Sequence, residues 1–265
     1  MLAHCPAPPP GLRRDRALAG PTDVDALSVV YVGRTAALLA TPSGALVPVT
    51  AGPACLAPGG FGAPDQAALA PVLARWSELT GAPAIDLRAW HAVATAVDLR
   101  VPAADGVVVT PAQVAELDRR LPDPAAGVAP GELARLALEA GELDGCLAAT
   151  VGAGPGTTPA GDDVICGVLA GLDLLGHAGA HARLGAAVAP LLPSTTRSSR
   201  HLLAAAAAGR YTERLIGLAA ALASGRSVRD ALDALARWGA SSGLDQAGGF
   251  AAAIRAGALV GAGAR

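Results

Sequence analysis

Hydrophobic and polar positions change rhythm about halfway along the chain. From Leu27 to about Phe61, apolar runs of five or six residues (Leu27–Val32, Thr35–Ala40 and Ala45–Val49) are separated by Gly33-Arg34 and Pro42-Ser43-Gly44. Runs of that length between turn residues predict a meander of antiparallel strands. Between Asp65 and Thr80, the residues Ala68, Leu69, Val72, Leu73 and Trp76 recur at three- and four-residue spacing, which predicts a helix. Ile85–Val97 reads as a further helix. Gly106–Val109 reads as a strand ending at Thr110-Pro111, a cap followed by proline at the first helical position.

After Asp123-Pro124 the pattern is almost purely helical. The predicted helices are Pro130–Ala140, Val164–Leu175, Ala180–Leu191, Ser199–Ala208, Tyr211–Ala223, Val228–Trp238 and Leu244–Leu259, with Gly or Pro marking the connections. The expected class is therefore α+β. An N-terminal tail, 1–24, precedes a small antiparallel β-rich region, 25–125, and a mainly α-helical region, 126–265.

Composition narrows the chemistry. The 265 residues are 52% hydrophobic but only 3% aromatic, so the core is expected to pack from small aliphatic side chains. Net charge is −2 and no basic block occurs, which argues against a nucleic-acid partner. Lysine is absent and all 20 basic residues are Arg, which excludes Schiff-base catalysis and the Walker-type phosphate loop. Cys5, Cys55, Cys146 and Cys166 are widely spaced and form no zinc pattern, so reduced thiols are expected. Neither a secretory leader nor an uninterrupted apolar run of roughly 18 residues is present, so a cytoplasmic protein with no membrane partner is expected.

The densest chemistry lies in Gly152-Ala-Gly154-Pro-Gly156-Thr157-Thr158-Pro-Ala-Gly161-Asp162-Asp163. Four glycines and two prolines demand tight bends, and a glycine-rich turn feeding a helix start offers backbone N–H groups to an anion. A second turn, Trp238-Gly-Ala-Ser241-Ser242-Gly243-Leu-Asp245, repeats the layout, with Gly161-x-Asp163-x-x-x-Gly167 matching Gly243-x-Asp245-x-x-x-Gly249. Glycine inside a helix costs about 1 kcal/mol against alanine, and close helix approach would account for it. The two helices are expected to cross near their N-termini. Asp162, Asp163 and Asp245 near an anion would repel it unless Mg²⁺, with its preference for oxygen ligands, bridges them. The plainer reading is that these carboxylates cap helices.

Between the two turns, Pro193-Ser-Thr-Thr196-Arg197-Ser-Ser-Arg-His201 sets five hydroxyls and two guanidiniums before another helix, which suits an oxyanion-rich substrate. Ser198 or Ser199 would cap that helix. Weaker candidates are His177 and His181, spaced i,i+4 without an accompanying Glu, and His91, read as a satisfied, partly buried histidine. No G-x-S-x-G elbow and no dinucleotide fingerprint occur.

The run Gly154 to Asp163 resembles the signature of the AllH-like family, Gly-x-Gly-Pro-Gly-Leu-Thr-Pro-Ser-Gly-Asp-Asp. Thr196 and Ser199 with Leu202-Leu203, Ala206 and Gly209 resemble its middle block. Gly239-Ala-Ser-Ser-Gly243-Leu-Asp245 resembles its last block. Departures are Thr157 for leucine, Ala160 for serine and Ala240 for a frequent histidine. The resemblance implies a subunit of oxamate carbamoyltransferase, which converts oxalurate and phosphate to oxamate and carbamoyl phosphate with partner subunits.

The expected site follows from these blocks. Gly154, Gly156, Thr157, Thr158, Gly161, Thr196, Arg197, Ser241, Ser242 and Gly243 would hold a small anionic metabolite, and Asp162, Asp163 and Asp245 would be catalytic. Asp162 or Asp163 could hold the substrate nitrogen, act as a base or bind Mg²⁺. Other enzyme subunits or self-association would complete the assembly. Two other functions fit the same residues: a non-catalytic binding or regulatory subunit for a nucleotide or phosphorylated metabolite, and a Mg²⁺-dependent phosphoryl-transfer enzyme.

Overall fold

The computed structural model describes residues 6–18, 20, 24–79, 84–102, 107, 109–121 and 129–263, side chains being described to 258. Contacts divide the chain into two units, Met1–Leu99 and Arg100–Arg265.

The first unit is built on a six-stranded sheet of order β2-β3-β4-β5-β1-β6. Its strands are β1 (Arg13–Asp15), β2 (Ser28–Val32), β3 (Ala36–Ala40), β4 (Leu46–Ala51), β5 (Phe61–Ala63) and β6 (Thr95–Val97). The expected antiparallel meander is β2-β3-β4. The whole sheet is mixed, because β4/β5 and β1/β6 run parallel. Pro48 is tolerated in an inner strand because β5 joins β4 only from Val49 onward, leaving the proline outside that ladder.

Two short strands depart from the sequence pattern. β1 lies in the stretch expected to be a tail, and β6 replaces the end of the helix expected over Ile85–Val97, of which only α2 (Arg88–Val93) forms. Buried Asp15 fixes this corner: one carboxylate oxygen accepts from the Ala17 N–H at 2.9 Å and the other from the Gly59 N–H at 2.7 Å. Helix α1 (Gln66–Ser77) is capped by the Asp65 carboxylate and buries Leu69, Val72, Leu73 and Trp76. Trp76 stacks on Trp90, and Phe61 meets Trp90 edge-on at 6.0 Å. His91 is satisfied by the Leu18 carbonyl at 2.9 Å.

The second unit is helical: α3 (Pro111–Asp118), α4 (Pro130–Glu139), α5 (Asp144–Thr150), α6 (Ala160–Leu174), α7 (Ala178–Val188), α8 (Arg197–Ala207), α9 (Glu213–Ala223), α10 (Arg229–Ala236) and α11 (Ser242–Gly263). A 3-10 turn over Ala189–Ser194 joins α7 to α8. Thr110 and Gln113 close a reciprocal capping box on α3. The Gln113 amide donates to the Leu222 carbonyl and Leu117 enters the helical core, so α3 belongs to this unit. The boundary expected near 125 and much of the strand expected over 106–109 lie outside the described residues.

Helix α6 is the axis of the unit, buried at every position except Asp173. It runs against α11 backbone to backbone. A Cβ on Gly167 would stand 2.0 Å from the Gln246 carbonyl oxygen, and one on Gly249 2.0 Å from that of Val164. The internal glycines therefore exist for close approach, and they fix the register in which the two helix starts meet. Among the described residues no helix is long and apolar enough to cross a membrane.

Candidate functional site

The loop from α5 to α6 turns on three left-handed glycines: Gly152 at φ 74°, Gly154 at 110° and Gly156 at 97°. Gly161 has a different task, since its Cβ would stand 1.9 Å from the Thr150 carbonyl oxygen. Its N–H donates to the Ala153 carbonyl at 2.9 Å, which pins the start of α6 beneath the loop. Gly154 to Thr157 are exposed, Thr158 is half-buried, and Pro159 and Ala160 are buried.

Side chains from three helix starts then fasten this loop. Asp162 accepts the Gly152 N–H at 2.9 Å with one oxygen and the Thr195 hydroxyl at 2.5 Å with the other. Thr196, the N-cap of α8, donates to the Thr157 carbonyl at 2.6 Å while accepting from the Ser199 N–H. Thr158 and Ser242 share a hydrogen bond of 2.8 Å, which ties the loop to α11. The glycine contacts between α6 and α11 place the Thr158 and Ser242 hydroxyls side by side. The sequence motifs thus meet in space as Thr157 with Thr196, and Thr158 with Ser242.

Asp163 faces the other way, into the α6–α11 contact, and is 1% exposed. Oδ1 accepts from the Gln246 amide at 2.9 Å, and Gln246 Oε1 accepts from the Thr212 hydroxyl at 3.2 Å. Oδ2 is buried with no hydrogen-bond partner. Burial pushes this carboxyl up to about 7, with smaller contributions in the same direction from the Asp245 and Asp162 charges. The Gln246 amide and the nearby Ser242 hydroxyl pull the other way, although only Gln246 reaches hydrogen-bonding geometry. A carboxyl so placed exchanges its proton near neutral pH, the property wanted of a general acid–base.

The remaining expected residues have distinct places. Asp245 is half-buried on the first turn of α11, its Oδ2 shut from solvent without a partner, and burial raises its carboxyl while the Ser241 hydroxyl opposes. Ser241 and Arg197 are exposed. Gly243 is a packing glycine whose Cβ would stand 1.8 Å from the Leu235 carbonyl oxygen. The N–H groups of Gly161, Asp162, Asp163, Gly243, Leu244 and Asp245 are all taken by backbone carbonyls. Among the described residues, no hydrogen bond occupies the N–H groups of Gly156 and Thr157. The backbone donors free to meet an anion are thus fewer than the sequence suggests, and they lie on the exposed loop. Of the two carboxylates expected to hold Mg²⁺, Asp162 engages both oxygens with the Gly152 N–H and the Thr195 hydroxyl, whereas Asp163 lies in the helix contact. No group of three or more His, Cys, Asp or Glu that could hold a metal occurs among the described residues.

Gln246, Thr212 and Thr195 were not singled out in the sequence. Gln246 is one polar position at the head of an apolar helix, its only advance signal. A second polar cluster was also missed: Tyr211 donates to Asp173 at 2.5 Å, and His181 Nε2 lies 3.1 Å from both the Tyr211 hydroxyl and the Ala206 carbonyl. Because a carbonyl only accepts, that bond places a proton on Nε2. The i,i+4 pair His177 and His181 therefore divides, His177 preceding α7 as its N-cap residue.

No curated protein and no solved structure matches this chain. Residues 150–254, which carry the loop, all of α8 and the start of α11, match the model of the family described as oxamate carbamoyltransferase subunit AllH, the family whose signature the loop resembles.

Proposed function

We propose that this chain is a subunit of a carbamoyltransferase and that its loop and the starts of α6, α8 and α11 carry the carbamoyl-transfer site. The substrate class is a small anion such as oxamate or oxalurate, with carbamoyl phosphate or phosphate as the second ligand. The family name supports the reaction, and Asp163 supports the site: a sealed carboxyl titrating near neutrality, with one oxygen held and the other unpartnered. In carbamoyl transfer to oxamate, the amide nitrogen forms a bond to the carbamoyl carbon as the bond to the phosphate oxygen breaks. Asp163 takes the proton lost by nitrogen and returns it in the reverse direction. In this reading the Gly156 and Thr157 N–H groups and Arg197, the first residue of α8, meet the developing oxyanions. Asp162 anchors the loop and Asp245 borders the site.

Because Asp163 is 1% exposed, this reading requires that the Thr158–Ser242 hydrogen bond, which lies near it, open to admit substrate. Transfer of labelled carbamoyl phosphate to oxamate, measured with the partner subunits present, tests the assignment. Asp163→Asn is expected to lower kcat by about 10²- to 10⁴-fold with little change in KM. Asp162→Asn, which loosens the loop, is expected to raise KM chiefly. The burial of Asp163 favours one rival, a non-catalytic binding subunit. That reading takes over should Asp163→Asn leave kcat intact and weaken only ligand affinity.

A further inference from the structure

Which oxygen of Asp163 carries the proton is decided by two residues outside the motif. The Gln246 amide nitrogen can only donate, so Oδ1 must accept, and the proton of the neutral acid resides on Oδ2. Gln246 keeps this orientation because its own carbonyl oxygen is met by the Thr212 hydroxyl. Thr212 is 3% and Gln246 1% exposed, so bulk water does not compete for either partner. The chain runs from the α9 N-cap through α11 to α6, between positions 34 and 83 residues apart. Close approach of Gly167 to the Gln246 backbone carbonyl fixes where this residue of α11 stands against α6.

We infer that Gln246 and Thr212 are positioning residues that tie Asp163 Oδ1 and leave Oδ2 as the atom that takes and gives the proton. This rests on the reading of Asp163 as the acid–base of the site. Other titratable or charged groups near Asp163 are Asp162 and Cys166 on its own helix and Asp245 on α11. The two aspartates disfavour the carboxylate, so the Gln246 donor is what keeps the ionised form accessible.

The test is a ¹³C-carboxyl NMR titration of the full chain labelled at aspartate, with Asp163→Asn assigning the resonance. Gln246→Leu and Thr212→Val should each raise the Asp163 titration midpoint, the former by about one to two pH units. Thr212→Ser, which restores the hydroxyl, should return it, and it guards against loss of folding in the other variants. An unmoved midpoint in folded Gln246→Leu and Thr212→Val would overturn the inference and leave the carbamoyl-transfer reading standing. The pH–rate profile of the assembled enzyme should shift in parallel. A shifted midpoint with an unshifted profile would overturn the acid–base role of Asp163 itself.

Discussion

Asp162 and Asp163 are neighbours on one helical turn with opposite surroundings. Asp162 spends both oxygens on the Gly152 N–H and the Thr195 hydroxyl, whereas Asp163 keeps one buried oxygen without a hydrogen-bond partner. The second arrangement has a thermodynamic signature. Burial raises Asp163 to about 7 in the folded protein, while the unfolded side chain titrates near 3.9. The folded state therefore holds the proton more tightly across this interval. Stability from this group is fully present below about pH 4 and is lost as pH rises through 7. Asp245, also raised by burial, acts in the same direction. Urea unfolding followed by far-UV circular dichroism should show the helical unit less stable at pH 8 than at pH 5, by on the order of 2–4 kcal/mol. Asp163→Asn should flatten most of that dependence. A wild-type curve that rises with pH over this interval would contradict the buried, unpaired state.

At the scale of elements, the α6–α11 crossing is the feature on which the site depends, and two adjacent glycines test it. A Cβ at Gly249 meets the Val164 carbonyl at 2.0 Å, whereas one at Gly248 meets nothing within 4 Å. Gly249→Ala should destabilise by about 3 kcal/mol or more, because backbone must shift. Gly248→Ala should stabilise by about 1 kcal/mol through helix propensity alone. Thermal melts of the two variants should move in opposite directions.

Close glycine packing was legible in sequence because helical glycine needs a cause, and so were the helices with Gly- or Pro-marked ends. Strand β1 was not, since Arg13-Arg14-Asp15 has no apolar alternation and is defined only by partners on β5 and β6. Helix α5 is a single short element without a side-chain cap. The sequence brought Thr158 and Ser242 to one place through their matching motifs. It could not bring Gln246 to Asp163, because that pairing depends on helix register rather than spacing. The sequence also left Asp162 and Asp163 equivalent, and only their directions from α6 separate an anchor from an acid.

Over the whole molecule, the two units each enclose a core, and the described thiols sample both. Cys55 is buried in the first unit and Cys166 in the second, while Cys146 on α5 is half-exposed. Burial also pushes the Cys146 thiol up, so its thiolate is scarce at neutral pH. Alkylation of native protein with peptide mapping should modify Cys146 slowly at pH 7 and faster at pH 9, ahead of Cys55 and Cys166. Denaturant should equalise the three. Early loss of Cys166 would mean that the α6–α11 contact opens in the native state.

That contact has a calorimetric consequence. Where two helices touch through glycine backbone, they bury less hydrocarbon per residue than where they meet through large side chains alone. The increase in heat capacity on unfolding should accordingly fall below the usual figure of about 12–15 cal/mol/K per residue. The stability curve of the helical unit would then be a shallow dome. The geometry around Asp163 would hold over a broad span of temperature, with cooling and warming eroding it gradually rather than at one sharp optimum.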